Sequence, residues 1–180
     1  MELHQHIKNQ IWTIDHFLTK QECRQFINQI NTKSNKICFT NTGLFENDKY
    51  IDQSLATSFF EKINTLPKIK TLVTNPILRA NNLIMTGKYL SNNNFGLHTD
   101  TGLFYNKNTK EKSQYTLLIY LNDDFEGGTT SFFTDNFQPT VTIHPKQGTA
   151  LLFDIDLWHK GDKLISGEKY WIGCELIAKF

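Results

Sequence analysis

The sequence has few arginines, few cysteines and no long apolar run, and each shortage excludes something. Arg24 and Arg79 are the only arginines among the 180 residues, so an anionic ligand in the C-terminal half must be held by lysine or backbone amides. Cys23, Cys38 and Cys174 are odd in number and widely spaced, which argues against a disulfide framework or a structural zinc site and predicts packing residues. No window approaches the apolar length of a membrane helix.

The chain also lacks a targeting signal and a strong net charge. Residues 1–10 contain no apolar stretch and no cleavage-site pattern, so we expect a cytoplasmic protein with no membrane partner. The formal net charge is +1 and the lysines are dispersed, so no nucleic-acid partner is expected. A chain of 180 residues that is 39% hydrophobic is expected to form a single domain over residues 1–180.

Helical signals are confined to the first part of the chain. Thr19 and Glu22 form a capping box, and apolar residues at helical spacing follow, which predicts a helix from Lys20 to Asn31. A second helix is predicted from Gln53 to Asn64. We therefore expect residues 1–76 to form a helical support for a sheet.

Short strands separated by glycine, asparagine and aspartate are predicted over residues 77–180, and they indicate a sandwich or jelly roll. These strands are Asn82–Leu90, Tyr115–Leu121, Thr140–His144, Thr149–Ile155 and Lys169–Ala178. Three loops interrupt them, at residues 91–94, 106–113 and 122–128. The second loop follows Asp100 closely, so the segment of residues 103–113 that contains it is a candidate mobile lid over the substrate. An ordinary solvated connection explains it equally well.

His98 and Asp100 are the first pair of candidate metal ligands. Side chains at i and i+2 of a strand share a face, so the two residues can bind one ion. Two histidines and one carboxylate form the facial triad of a non-haem iron(II) site and leave positions open for other ligands. Chance supplies a His-x-Asp/Glu match with roughly even odds. The similarly spaced His4 and His6 are interpreted as incidental, in a disordered N-terminus.

His159 and Lys169 complete the candidate site. Residues 148–158 are predicted to form one buried strand that ends at His159, and a hairpin turn at Ser166-Gly167 would set His159 and Lys169 close together across a ladder. An ammonium at the start of an apolar strand is costly to bury without an anionic partner, and a dicarboxylic cosubstrate would supply one. The alternatives are a hydrogen-bonded structural histidine and a surface lysine.

In order and spacing, these motifs resemble those of the prolyl 4-hydroxylase branch of the 2-oxoglutarate and iron(II)-dependent oxygenases. The resemblance implies a mainly β fold with supporting α-helices, a double-stranded β-helix (jelly roll, cupin-like). Its segments are Ile14–Cys23, Tyr89, Leu97–Asp100, Thr116–Asn122, Gly127–Thr130, Pro145–Phe153, His159, Gly161, Gly167 and Lys169-Tyr170.

The resemblance also implies the ligands of the site. Iron(II) would be bound by His98, Asp100 and His159, and Lys169 would form a salt bridge with the distal carboxylate of 2-oxoglutarate. The hydroxyls of Tyr89 and Thr116 would donate hydrogen bonds to the same carboxylate end. Dioxygen is the further cosubstrate, and ascorbate is a candidate additional cofactor. The Gly127-Gly128 pair is expected to serve a turn.

The implied activity is hydroxylation of an unactivated C–H bond, and the Asp100 carboxylate favours hydroxylation over halogenation. By family analogy, the first substrate hypothesis is a peptidyl proline. A free amino acid or another small molecule is the alternative, and a non-catalytic jelly-roll binding module is a third interpretation. A nucleic-acid demethylase is disfavoured because the paired C-terminal arginines of that branch are absent. A collagen-processing role in the secretory pathway is not supported, because the sequence shows no secretion signal.

Overall fold

The computed structural model describes residues 1–32, 36–40 and 43–180, with side chains outside residues 36–45, 71 and 72. The predicted packing role of Cys38 therefore lies outside the described side chains. The elements in chain order are β1 Glu2–Ile7, β2 Ile11–Asp15, α1 Lys20–Thr32, β3 Lys36–Thr40, β4 Gly43–Ile51, α2 Gln53–Asn64, α3 Ile69–Leu72, β5 Ile77–Ala80, β6 Leu83–Tyr89, β7 Asn94–His98, β8 Tyr105–Asn106, β9 Glu111–Tyr120, β10 Glu126–Gly127, β11 Thr130–Phe133, β12 Pro139–Ile143, β13 Ala150–Asp154, β14 Trp158–Gly161, β15 Leu164–Ser166 and β16 Lys169–Lys179.

Fourteen strands form one long antiparallel sheet whose two halves enclose a cavity, and β10 and β15 form a separate antiparallel pair. The pairing order is β1-β2-β13-β9-β16-β6-β4-β7-β14-β11-β12. In this pairing order, the strands β1, β2, β13, β9, β16 and β6 are here called the large half, and the strands β7, β14, β11 and β12 the small half. Strand β4 pairs with β6 and also with β7, so it joins the two halves. The mainly β fold with supporting helices is as predicted.

The two long helices cover the outer face of the large half. The capping box of α1 is formed, with Glu22 N donating to Thr19 Oγ1 at 3.1 Å and Thr19 N donating to the Glu22 carboxylate at 2.7 Å. Helix α2 begins after Asp52, whose side chain accepts from Leu55 N at 2.9 Å. Buried residues of both helices belong to one core cluster with apolar residues of β9 and β16. Both helix predictions are confirmed.

The first part of the chain contains four strands as well as its helices, so it is not simply helical. Strand β1 pairs with β2, and the predicted disorder around His4 and His6 was wrong. His6 is hydrogen-bonded to Thr13 at 2.8 Å, and Leu3 packs against the core. Backbone pairing to a buried neighbour compensates for the polar sequence of β1.

Three predictions about connections were wrong. Residues 106–113 are not one loop, because β8 pairs with the first residues of β9 and only residues 107–110 form the turn of this hairpin. Residues 148–158 form β13, a turn and the first residue of β14 rather than a single strand. Strand β14 pairs with β7 and β11 and not with β16, so His159 and Lys169 do not lie across one ladder. The lid function of residues 103–113 stays a prediction.

Two further observations concern the cysteines and the length and apolar character of the helices. Cys23 and Cys174 are unpaired and buried, as predicted for packing residues. Burial raises the pKa of Cys23 to about 11 and that of Cys174 to about 12. Among the described residues, no helix has both the length and the apolar character needed to cross a membrane.

Candidate metal centre and cosubstrate pocket

Three predicted ligands converge between the two halves of the sheet. His98 ends β7, Asp100 follows two residues later, and His159 lies on β14 directly opposite His98 in the ladder. Asp100 Oδ1 is 3.5 Å from His98 Nε2 and 3.7 Å from His159 Nε2. One ligand atom from each residue can be chosen so that all three lie within 4.8 Å of one another. The antiparallel pairing of β7 with β14 therefore assembles the triad.

The histidine rings are held with the same ring nitrogen facing Asp100. Nδ1 of His98 is 2.7 Å from the Gly96 carbonyl, and Nδ1 of His159 is 2.9 Å from the Leu157 carbonyl. A carbonyl oxygen only accepts, so each Nδ1 must carry the proton and each Nε2 keeps a lone pair when the ring is neutral. Second-shell hydrogen bonds of this kind are usual for metal-binding histidines.

The electrostatics of the triad favour a carboxylate beside neutral imidazoles. Burial opposes ionisation of Asp100, but His98, the nearby His159 and a hydrogen bond from Thr116 together hold its pKa below the usual range. Burial lowers the pKa of His159, although Asp100 opposes this effect. The ring of Phe153 packs edge-on against His159 at 4.7 Å. A charged oxygen ligand and two neutral nitrogen ligands suit a divalent ion such as iron(II), so the residues present fit the implied metal.

Lys169 lies at the start of β16 and is 3% exposed. Its Nζ donates to the Gly128 carbonyl at 2.7 Å and lies 5.3 Å from the ring centroids of both Tyr89 and Tyr120. Within the described residues it forms no ion pair. Burial lowers the pKa of Lys169 to about 7, against the opposing charge of Asp162. A buried cation with only one neutral acceptor is suited to an anionic ligand.

Gly128 shapes the surroundings of this lysine. Its φ is +64°, and a Cβ there would lie 2.9 Å from Leu164 Cδ1 and 3.3 Å from Lys169 Cδ. The Gly127-Gly128 pair was predicted to serve a turn; both residues have positive φ, but Gly127 lies in β10 at an irregularity in its pairing with β15. Gly128 in addition provides the carbonyl that accepts from Lys169, a role that the sequence analysis missed.

Tyr89 and Thr116 lie at different ends of the pocket. Tyr89 is directly opposite Lys169 in the β6–β16 ladder, as its predicted role requires. Thr116 pairs instead with Glu175, six residues farther along β16 or about 20 Å at the rise of a strand. Its hydroxyl donates to Asp100 Oδ2 at 2.6 Å. The expectation that Thr116 binds the distal carboxylate is therefore corrected, since it contacts a metal ligand instead.

Tyr120 is a neighbour of Lys169 that the sequence analysis missed. Its hydroxyl is hydrogen-bonded to Thr130 at 2.7 Å, and its ring borders Lys169. The alternation along β9 could have identified it, because Thr116, Leu118 and Tyr120 share one face of a strand.

The metal triad and Lys169 line the same cavity, which has a volume of about 540 Å³. Strands of both halves contribute to its wall, with His98 and His159 on the small half and Lys169, Trp171 and Glu175 on β16. The triad and Lys169 are thus brought to one cavity by two facing halves of the sheet instead of by one hairpin.

Comparisons with known proteins agree with this arrangement. The family model of the 2OG-Fe(II) oxygenase superfamily matches residues 84–174, half of the chain. No relative was found among the curated proteins.

Several solved structures share the fold. One is a viral collagen prolyl hydroxylase from Paramecium Bursaria Chlorella virus-1, with 23% identity, a TM-score of 0.68 and coverage of 93% of this chain and 96% of that one. A prolyl-4-hydroxylase from Pseudomonas putida has 12% identity, a TM-score of 0.69 and coverage of 96% and 94%. A Trichoplax adhaerens prolyl hydroxylase, solved with a hypoxia inducible factor peptide fragment, has 16% identity, a TM-score of 0.66 and coverage of 94% and 84%.

These similarities agree with the predicted jelly roll, and at this level of identity they concern the fold alone. The match to the family model covers β6 to the middle of β16 and includes His98, Asp100, His159 and Lys169. The chain belongs to the 2OG-Fe(II) oxygenase superfamily.

Proposed function

We propose that this protein is an iron(II)- and 2-oxoglutarate-dependent dioxygenase that hydroxylates an unactivated C–H bond. The observation that carries the proposal is the placement of buried Lys169 in the same cavity as the His98, Asp100 and His159 triad. The triad would hold a metal by three positions and leave others open. Lys169 would then pair with the distal carboxylate of a cosubstrate that reaches the metal.

Each residue has a defined part in this activity. The backbone carbonyls of Gly96 and Leu157 hold the histidine rings, and Thr116 orients Asp100. Lys169 and Tyr89 orient the cosubstrate by its distal carboxylate. When bound, iron(II) and 2-oxoglutarate supply dioxygen activation, with succinate and carbon dioxide as the coproducts of oxygen transfer.

The cavity wall contributes by limiting access of water. Phe153 packs on His159, and the ring of Phe95 lies 3.9 Å from that of His98. Apolar side chains around a metal site lower the local dielectric constant and control solvent access. We therefore expect the reacting C–H bond to be enclosed by these rings.

The first substrate class to test is a peptidyl proline. It is supported by the shared fold with prolyl hydroxylases, one of them solved with a peptide. A free amino acid or another small molecule is the alternative, because a cavity of about 540 Å³ is of a size that holds small ligands.

Anaerobic titration tests the oxygenase proposal. Addition of iron(II) and 2-oxoglutarate to the protein should produce a visible charge-transfer band, and His98→Ala or His159→Ala should abolish it. His144→Ala is the matched control, since His144 is exposed and outside the triad. Absence of the band in the unaltered protein would overturn the proposal.

Substrate is then sought by stimulated succinate release, with and without ascorbate. Proline-containing peptides and free amino acids are compared, and the product should gain the mass of one oxygen atom. Stimulation by free amino acids alone would remove the peptidyl-proline hypothesis.

A further inference from the structure

Strand β16 turns every second side chain toward the active-site cavity. Lys169, Trp171, Gly173 and Glu175 all line it, as the two-residue period of a strand requires. The row therefore begins with a cation and ends with a carboxylate, about 20 Å apart along the strand. The proposed activity gives Lys169 a ligand but gives Glu175 none.

Glu175 is 3% exposed and is held by neutral donors. Leu103 N donates to its Oε2 at 3.0 Å, and Ser113 Oγ donates to the same oxygen at 2.5 Å. No lysine, arginine or histidine among the described residues forms an ion pair with it. Lys49 also borders the cavity, but it is exposed, so its charge needs no buried counter-charge. The negative charge of Glu175 is thus stabilised by dipoles but is not neutralised.

Glu175 lies on the metal side of the cavity. It is directly opposite Thr116 in the β9–β16 ladder, and the Thr116 hydroxyl donates to Asp100. Leu103, which donates to Glu175, is three residues after Asp100. A group bound by the Glu175 carboxylate would therefore lie near the metal and the reacting carbon.

Charge balance shows what this group should be. With iron(II) and 2-oxoglutarate in place, the charges of the metal and Lys169 balance those of Asp100 and the two carboxylates of the cosubstrate. Among the described residues that line the cavity, Glu175 is the one buried charge left without a counter-charge. Because an uncompensated buried charge is costly, a cationic group of the substrate would be favoured beside it.

We propose that Glu175 is a specificity-determining residue that pairs with an ammonium or guanidinium group of the substrate. This inference rests on the proposed function and specifies the substrate class of the same site. For a free amino acid the group is the α-ammonium, and for a peptide it is a basic side chain close to the oxidised residue. A peptide without a basic residue would be a poor substrate.

Binding without turnover tests the proposal. The probes are L-proline and L-lysine, the fully acetylated forms N-acetyl-L-proline and Nα,Nε-diacetyl-L-lysine that lack the cationic groups, and a short peptide with an internal lysine beside its Nε-acetylated form. Each is titrated calorimetrically into the anaerobic protein loaded with iron(II) and 2-oxoglutarate, and the charge-transfer band is recorded. At least one cationic probe should bind about tenfold or more tightly than its acetylated form. The free amino acids and the peptide distinguish the two sources of the cation.

Glu175→Gln should reduce this preference to less than about twofold, since the amide keeps an acceptor for Leu103 N but removes the charge. Binding of 2-oxoglutarate should be unchanged. Glu111→Gln is the matched control, because Glu111 is paired with Arg79 outside the cavity. Glu175→Asp retains the charge and should retain the preference, which keeps the test decisive if Glu175→Gln does not fold.

Three results would overturn the inference. They are equal binding of charged and acetylated probes, no binding of any cationic probe, and an unchanged preference in Glu175→Gln. In each case a persisting charge-transfer band with iron(II) and 2-oxoglutarate shows that the proposed oxygenase function still stands. Loss of the band would instead remove the function itself.

Discussion

Lys169 and Glu175 occupy opposite ends of the cavity-facing side of β16, and the fold satisfies them differently. The Lys169 ammonium has one neutral acceptor and two aromatic rings around it. The Glu175 carboxylate accepts from a backbone amide and a hydroxyl. Burial lowers the pKa of Lys169 and raises the pKa of Glu175, so both groups are shifted toward their neutral forms. The two groups differ in their protein partners. Among the described residues Lys169 has only one, so its charge depends on a ligand, whereas Glu175 also anchors Leu103 and Ser113 by hydrogen bonds.

Removal of the cation should produce the largest effect on ligand binding. Lys169→Met deletes the counter-charge of the distal carboxylate, and we expect the dissociation constant of 2-oxoglutarate to rise about 1,000-fold. Anaerobic titration of the charge-transfer band measures it. Lys163→Met is the control, because Lys163 is exposed near the same end of the site. An increase below about tenfold would mean that the cosubstrate carboxylate is held elsewhere, and the contrast between the two ends would fail.

The pH dependence of stability separates the two ends without any ligand. The pKa of Lys169 is about 7 in the folded protein, against an ordinary value of 10.5. Between these values the unfolded chain binds a proton that the folded protein does not, so stability rises with pH. The cost of burying the charged Lys169 lowers the free energy of unfolding by its full amount below pH 7, and this cost disappears by about pH 10.5. The expected slope is of the order of 1 kcal/mol per pH unit.

Chemical unfolding of the ligand-free protein and of Lys169→Met measures this slope as a difference between the two. Titration of other groups is common to both proteins and cancels. Lys169→Met should be the more stable protein at pH 6, and the two should converge as the pH rises toward 10. A difference that does not change with pH would show that Lys169 is not desolvated.

Local features of the fold and of the site were predicted well from the sequence, and long-range pairing poorly. The capping box at Thr19 and Glu22 was recognisable because its two hydrogen bonds join residues three apart. His98 and Asp100 were likewise recognisable from spacing. Local spacing does not encode which strands become neighbours, so the pairing of β14 with β7 was missed. The helices of residues 1–76 were predicted, but β1 has few apolar residues and is held by backbone pairing with β2.

The same limit explains the error at Thr116. Its residue type fits a carboxylate-binding hydroxyl, but the register between β9 and β16 places it beside Glu175 and not beside Lys169. Register depends on tertiary packing and on turns distant in sequence. Glu175 itself was missed because its spacing from Lys169, an even number of residues along β16, acquires meaning only when one face of that strand lines a cavity.

Substitution of two threonines that line the cavity should produce the smallest effects, and these effects should differ between its two ends. Thr116 donates to the metal ligand Asp100, whereas Thr130 is hydrogen-bonded to Tyr120, whose ring borders Lys169. Thr116→Val removes a hydrogen bond to a carboxylate that orients a metal ligand, so iron(II) should bind about tenfold more weakly. At saturating iron(II), the dissociation constant of 2-oxoglutarate should change less than about twofold.

Thr130→Val is the matched variant and should show the opposite pattern, with unchanged iron(II) affinity and weaker binding of 2-oxoglutarate. Calorimetric titration of each ligand provides both constants, and the melting temperature of each variant reports whether the fold is retained. If Thr116→Val weakened 2-oxoglutarate and left iron(II) unaffected, the hydroxyl would serve the cosubstrate after all. The two ends of β16 would then act as one binding surface, because a single ligand would have to reach from Lys169 to the residue opposite Glu175.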